Sequence, residues 1–268
     1  MSSLKSRLLV SVVGVPLLLW VVLGAPVVVI LAALCILAGL GAVELQQCVS
    51  AEKRTDMCVI NAACAALTTY WCDQQPESMA LLFMAEAIFV FGYAIIKAGE
   101  IKFAQIMAAL FGSIAIGYSF SAFLRMESVG LHRAYLLLPF ILSFACDTFA
   151  YFVGCTIGKH KLAPKVSPKK SVEGSIGGLA GNVVCGLLFA FVMNRWFGGS
   201  IAYGSMCLLA LVCGVVAQIG DLSFSLIKRE FGVKDYGKLF LAHGGVLDRF
   251  DSVLFVAPVI EIVLNLMK

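Results

Sequence analysis

The sequence predicts an all-α, polytopic integral membrane protein with about nine transmembrane helices and a cytoplasmic N-terminus. Three observations lead to that class. Of 268 residues, 61% are hydrophobic and only 13% charged, and the mean hydropathy is +0.97; soluble domains carry roughly 25% charged residues. Apolar runs close to the ~20 residues a membrane-crossing helix needs recur along almost the whole chain. Threading nine such helices with the N-terminus inside leaves only Arg125, Arg133, Arg195 and Lys268 on the outer side and the other sixteen Lys and Arg on the inner side, as the positive-inside bias requires. Dropping one helix would scatter the basic loops to both faces.

Each element then has its own reason. The run 8–23 follows Lys5 and Arg7 and is long for the apolar stretch of a signal peptide. It is therefore expected to be an uncleaved first helix. Gly24-Ala25-Pro26 turns tightly into 27–45. Lys53 and Arg54 precede 57–72; 79–96 follows, and Lys97-Ala98-Gly99-Glu100 joins it to 103–123. The remaining spans are 134–154, 177–197, 200–220 and 252–267. Residues 1–130 have short loops and read as a membrane-embedded scaffold. Residues 131–268 hold both long cytoplasmic loops and most of the charged side chains, and read as the catalytic half. Gly177 and Gly181 form a G-x-x-x-G pair that lets helix backbones approach. A phosphate-cradling loop is not expected there, because the Walker pattern is absent and no strand is expected before it. None of the ten cysteines forms a Cys-x-x-Cys pair, so they are read as packing residues. No internal repeat is evident, which counts against an inverted-repeat transporter.

Charges inside such a chain are costly beside lipid and mark function or pairing. Asp221, Ser225 and Lys228 fall at i, i+4 and i+7, one stripe of a helix that continues out of the membrane. Asp248, Asp251 and Ser252 share another face, near a helix N-terminus where negative charge is favoured anyway. Two carboxylates at that spacing also suit a hard divalent cation such as Mg²⁺. His243-Gly244-Gly245 is a turn beside these acids. The stretch 159–173 carries five lysines, two prolines and one acid; it fits either attraction to anionic headgroups or a wall for a polyphosphate. Asp147 lies well inside its helix and needs a partner or a water-filled cavity. Glu44 and Glu86 stand out among the few embedded charges of the first half. For Glu86 and Glu261 interhelical hydrogen bonding is the default.

Several of these stretches resemble the signature of the phosphatidate cytidylyltransferases (CDP-diacylglycerol synthases). The residues that carry the resemblance are Ser225, Lys228-Arg229, Lys234-Asp235, His243-Gly244-Gly245, Asp248-Arg249 and Asp251. Ser167-Pro168-Lys169-Lys170-Ser171-Val172-Glu173-Gly174 is similar to a second stretch of that family, and Asp147-Thr148 with Ala150-Tyr151 to a third. The similarity spans about 140–256. Leu241-Ala242 stand where the family has Pro-Gly, and Phe149 where it commonly has Gly. The resemblance implies that CTP and phosphatidate react to CDP-diacylglycerol and pyrophosphate with Mg²⁺. It assigns the metal to Asp221, Asp248 and Asp251, and catalysis to Asp221, Asp248, Lys228, Arg229 and His243. Substrate binding falls to Lys165, Lys169, Lys170, Ser171, Ser225, Lys234, Asp235, Gly244, Gly245, Arg249 and Asp147. The short chain and brief loops suggest a bacterial inner membrane over a eukaryotic organelle, with the active site expected on the cytoplasmic side; a homodimer is compatible with the sequence, and no nucleic-acid partner is expected. The alternatives are a CTP-dependent polyprenol or lipid kinase, and a transporter of an anionic substrate.

Overall fold

The computed structural model describes residues 3–50, 54–237, 239 and 244–266. Among them run nine helical rods: α1 Ser3–Leu23, α2 Val27–Val49, α3 Thr55–Gln74, α4 Met79–Ile96, α5 Phe103–Phe111 continued through a π-helical turn Gly112–Gly117 into α6 Tyr118–Ser128, α7 Leu138–Ile157, α8 Val172–Trp196, α9 Tyr203–Glu230 and α10 Leu247–Leu266. Every expected apolar run overlaps one of these rods, with ends that differ by a few residues and with 134–137 in a 3-10 turn ahead of α7. Among the described residues, six helices are long and apolar enough to cross a membrane: Val27–Val49, Pro76–Ile96, Phe103–Ser128, Arg133–Ile157, Val172–Trp196 and Tyr203–Glu230. The chain is therefore a polytopic membrane protein. α3 and α10 are less apolar because α3 carries Asp56, Asn61 and Asp73, and α10 carries Asp248, Arg249, Asp251 and Glu261.

The architecture is all-α, as expected, with one short addition. The lysine-rich stretch folds as a two-stranded antiparallel hairpin, β1 Lys161–Ala163 and β2 Ser167–Ser171, with Lys161 opposite Ser171 and Ala163 opposite Ser167. A strand thus does lead into α8, contrary to the sequence reading, though without Walker glycines. Pro168 is tolerated because a two-stranded ladder leaves an edge on which its missing N–H is not needed.

The helices form two compact units, one of residues 1–128 with 231–250, the other of 129–230 with 251–268. In the first unit α2, α3 and the α5–α6 rod are stitched by buried polar side chains. Asn61 donates to the Ala42 carbonyl at 2.9 Å and the Ala108 carbonyl at 3.2 Å. Thr69 donates to the Gly117 carbonyl at 3.1 Å, and a Cβ at Gly117 would stand 2.7 Å from the Ala65 carbonyl. Glu86 accepts from Thr68 at 3.0 Å and from Ser113 inside the π turn. This gives the membrane-embedded Glu86 the interhelical bonding expected of it. A cluster of Met57, Val90, Ile106 and Ala109 closes the adjoining core.

In the second unit glycine sets the helix spacing. A Cβ at Gly174 would meet the Ala150 carbonyl at 2.7 Å, and one at Gly178 the Cys146 carbonyl at 2.8 Å. The closest backbone approach of α7 and α8 therefore falls on the pair 174/178. Gly177 and Gly181 instead receive the Val153 and Phe149 side chains. Phe149, the residue standing where the resembled family commonly has glycine, is thus housed by a glycine on the facing helix. Asn182 donates to the Ala210 carbonyl at 2.8 Å to tie α8 to α9. Gly220 lets α9 reach the Asp251 carbonyl, 2.8 Å from where a Cβ would be. Glu261 pairs within its own helix with Asn265 at 2.6 Å. Contacts of this kind matter because lipid is as apolar as leucine, so dispersion and hydrogen bonding, rather than exclusion of water, hold the helices together.

Gly178→Leu is expected to force α7 and α8 apart, costing about 1–3 kcal/mol as overpacking does. A Gly92→Leu exchange should be nearly silent, since a Cβ at Gly92 meets nothing within 4 Å. Thermal melting of the detergent-purified variants distinguishes the two.

Candidate active site

Three helices and the hairpin bring charge together in the second unit. The C-terminal end of α9 presents Asp221, Ser225 and Lys228 along one stripe, as the spacing predicts, and Ser225 donates to Asp221 at 3.4 Å. Ser225 and Lys228 are buried. β2 places the Lys170 ammonium in an ion pair with Asp221. α7 contributes Asp147, which accepts from the Ser252 hydroxyl at 3.4 Å. Ser252, on α10, also donates its backbone N–H to Asp251 at 2.7 Å. Burial alone would push the Lys170 pKa down. The charges of Asp221 first, then Asp147 and Asp251, outweigh it and hold the pKa above the usual lysine value. The ammonium thus sits in the combined field of three carboxylates.

The hairpin is fixed at both ends. Arg229 donates to the Val166 carbonyl at 3.2 Å, tying the turn to the end of α9. At the base, Glu173 accepts the backbone N–H of Lys159 at 3.0 Å and of His160 at 3.2 Å, and meets His160 Nδ1 at 2.6 Å. Ser171, expected on the substrate, is the N-cap of α8, its hydroxyl accepting from Gly174 N at 3.1 Å. A serine there satisfies one of the helix's first N–H groups. Between hairpin and helices lies a cleft of about 520 Å³ whose lining includes Asp147, Tyr151, Lys161, Lys169, Lys170 and Asp221. Lys169 and Lys165 are exposed, Lys165 at the hairpin turn and outside that lining.

Gln218 also lines the cleft and donates to the Ser175 carbonyl at 3.1 Å. The sequence reading missed it, although 218, 221, 225 and 228 continue a single helical stripe by one turn.

The first unit holds the rest of the motif. Asp248 stands in the first turn of α10. Its Oδ2 accepts from Tyr236 N at 2.8 Å and Gly245 N at 2.9 Å. Gly244 has φ +83, and a Cβ there would lie 2.7 Å from Asp248 Oδ2; the turn needs glycine on both counts. Lys234, Asp235 and Arg249 are exposed. His243 lies outside the described residues.

Mg²⁺ is tested by the donor set. Asp147, Asp221 and Asp251, with the Ser225 and Ser252 hydroxyls, supply hard oxygen donors of the kind magnesium takes. Among the described residues no three His, Cys, Asp or Glu side chains already stand close enough to enclose an ion, and Lys170 occupies Asp221. The donor chemistry fits a divalent cation bound together with substrate phosphates, the way Mg²⁺ is usually held.

A polytopic membrane protein whose lysine hairpin and helix-borne carboxylates share one cleft is built to handle phosphorylated substrates at a membrane. The chain belongs to the Cytidylyltransferase family, whose family model matches residues 5–267. It is similar to the phosphatidate cytidylyltransferases of Staphylococcus saprophyticus, Staphylococcus haemolyticus and Staphylococcus aureus. Each is 36% identical over 181 residues, covering 68% of this chain and 67% of the relative.

Because the Lys170 pKa is raised, its ammonium persists to higher pH than a free lysine's, and the pairing is lost only as pH rises through that folded-state value. Amine acylation followed by mass spectrometry over a pH series should show the reactivity of Lys170 setting in at higher pH than that of ordinary exposed lysines. Asp221→Asn should move that onset down. An onset at or below the ordinary range in the unaltered protein would mean that burial prevails over the carboxylates.

Proposed function

We infer that this protein is a phosphatidate cytidylyltransferase, transferring the cytidylyl group of CTP to phosphatidate to give CDP-diacylglycerol and pyrophosphate. The observation that carries the reading is the cleft of the second unit, where Lys161, Lys169 and Lys170 face Asp147 and Asp221, in a chain of this family. An oxygen of the phosphatidate phosphate forms a bond to the α-phosphorus of CTP. The bond from that phosphorus to the bridging oxygen of the β-phosphate breaks, and its electron pair leaves with pyrophosphate. The attacking phosphate is already ionised near neutral pH, so no general base is required.

Both substrates are anions, and their approach is repulsive. Catalysis then consists of positioning and charge compensation. Lys169 and Lys161 meet phosphate oxygens at the cleft wall, and Lys170 exchanges part of its carboxylate pairing for substrate phosphate. Lys228 and Arg229 hold positive charge at the end of α9; Arg229 does so while anchoring the hairpin. Asp221 and Asp251, with Asp147, would hold Mg²⁺, which when bound would supply positive charge to offset that of the phosphates. The motif assigns Asp248 to the same metal set, and Lys165, Lys234, Asp235, Arg249 and His243 to substrate. The cleft belongs at headgroup level, where the lipid substrate arrives laterally. Nine crossings with the N-terminus inside, a bacterial inner membrane, a cytoplasmic site and a homodimer complete the proposal.

Purified protein given labelled CTP and phosphatidate is expected to form a lipid that carries cytidine, and chelation of divalent ions should stop the reaction. With CTP labelled in its γ-phosphate instead, label in a lipid phosphate without cytidine would establish the kinase alternative; phosphatidate-independent movement of an anion into vesicles would establish the transporter. Asp221→Asn is expected to lower kcat on the order of 10²–10³, the scale for losing one preorganised electrostatic group. Lys170→Ala should raise the KM for CTP or lower kcat, and unchanged rates at subsaturating CTP would return the hairpin to general lipid attraction.

A further inference from the structure

Glu44 is a buried carboxylate that the reaction as described does not use. It lies near the C-terminal end of α2, an otherwise apolar helix, and is 7% exposed. A charge in that setting is expensive unless its oxygens are fully engaged. Its partners are backbone groups: Oε1 accepts from Val246 N at 2.9 Å and Oε2 from Leu247 N at 3.0 Å. These are the N–H groups at the start of α10, which have no carbonyl partner within their own helix, and a helix N-terminus favours the negative charge.

The glycines around Glu44 are shaped to it. A Cβ at Gly237 would stand 2.5 Å from Glu44 Oε1, and one at Gly245 would run into the carboxylate itself. Gly245 is a motif residue, and its lack of a side chain is explained by Glu44 without any ligand. The next bond in the series is that of Gly245 N to Asp248 Oδ2, at 2.9 Å, while Tyr236 N holds the same oxygen at 2.8 Å. Glu44 thus grips 246 and 247 from below, and Asp248 closes the turn from within. The rotation of α10 about its axis at Asp248 is set by the carboxylate on α2.

We propose that Glu44 is a positioning residue for nucleotidyl transfer: it holds the Gly245–Leu247 backbone so that Asp248 and the motif turn keep their working orientation. This rests on the cytidylyltransferase reading. Glu44→Gln keeps shape but offers one acceptor and one donor to two N–H groups, so one bond is lost. Glu44→Asp keeps the charge and both acceptors on a shorter stem.

The test combines amide hydrogen exchange of the full-length protein in detergent with steady-state kinetics. In Glu44→Gln, exchange at 245–248 should quicken while that of the α7–α8 contact stays unchanged. Its kcat should fall tenfold or more with the KM for CTP changed less than threefold, and Glu44→Asp should recover most of kcat. A Glu44→Gln protein with wild-type kcat, or exchange quickened equally everywhere, would overturn the proposal. Should Glu44→Gln not fold, Gly245→Ala, which crowds the same carboxylate, is expected to show the same local exchange and the same kcat loss; wild-type values there would also overturn it. Wild-type protein without cytidylyl transfer would count against the functional reading instead, and the two failures are separable because the exchange measurement needs no substrate.

Discussion

A partly buried ammonium needs carboxyl groups beside it, and for Lys170 these are Asp221, its ion-pair partner, with Asp147 and Asp251 further off. Each comes from a different helix, and the lysine comes from a strand. That one cluster makes demands on everything near it. Gly220 must be bare so that α9 can close on α10 next to Asp221. The hairpin must be rigid, and Arg229, Glu173 and the Ser171 cap make it so. Lys170 sits one residue before that cap, so its direction is tied to the start of α8 and not left to a swinging loop.

The two units solve the same packing problem by different means. In the first, amide and hydroxyl side chains cross between helices, Asn61 and Thr69 bonding main-chain carbonyls that belong to neighbours. In the second, glycines on α8 remove side chains where α7 passes, and the main chains come close. Both suit a membrane, where leucine against leucine gains little over leucine against lipid. The exposed apolar flanks, Val28, Ile88, Ile96 and Val184 among them, then face hydrocarbon as such residues should.

Much of this was legible in the sequence, and the parts that were not share a cause. Apolar runs placed every rod, and the spacing of Asp221, Ser225 and Lys228 placed a stripe that the structure reproduces. Side-chain periodicity cannot report a bond to a backbone amide, so Glu44 was visible as an odd charge while its partners, 202 and 203 residues away, were not. The hairpin was hidden for a similar reason. Two prolines and five lysines look like loop, and the ladder is only two residue pairs long. Ser171 was legible as a motif residue, but its capping of α8 was not, because a capping hydroxyl shows itself only once the helix start is seen; the same residue lines the cleft. His243 lies outside the described residues, so its role rests on the motif alone.

Phe149 and Gly181 carry a consequence for descent. The ring fills the gap that a missing side chain leaves on the facing helix, so bulk added at one of these two addresses has to be removed at the other. A lineage can move the volume from one helix to the other, but a mutation enlarging 181 becomes tolerable only after 149 has shrunk. Enlarging 181 alone puts two side chains in one volume; with a smaller residue at 149 the same enlargement has room.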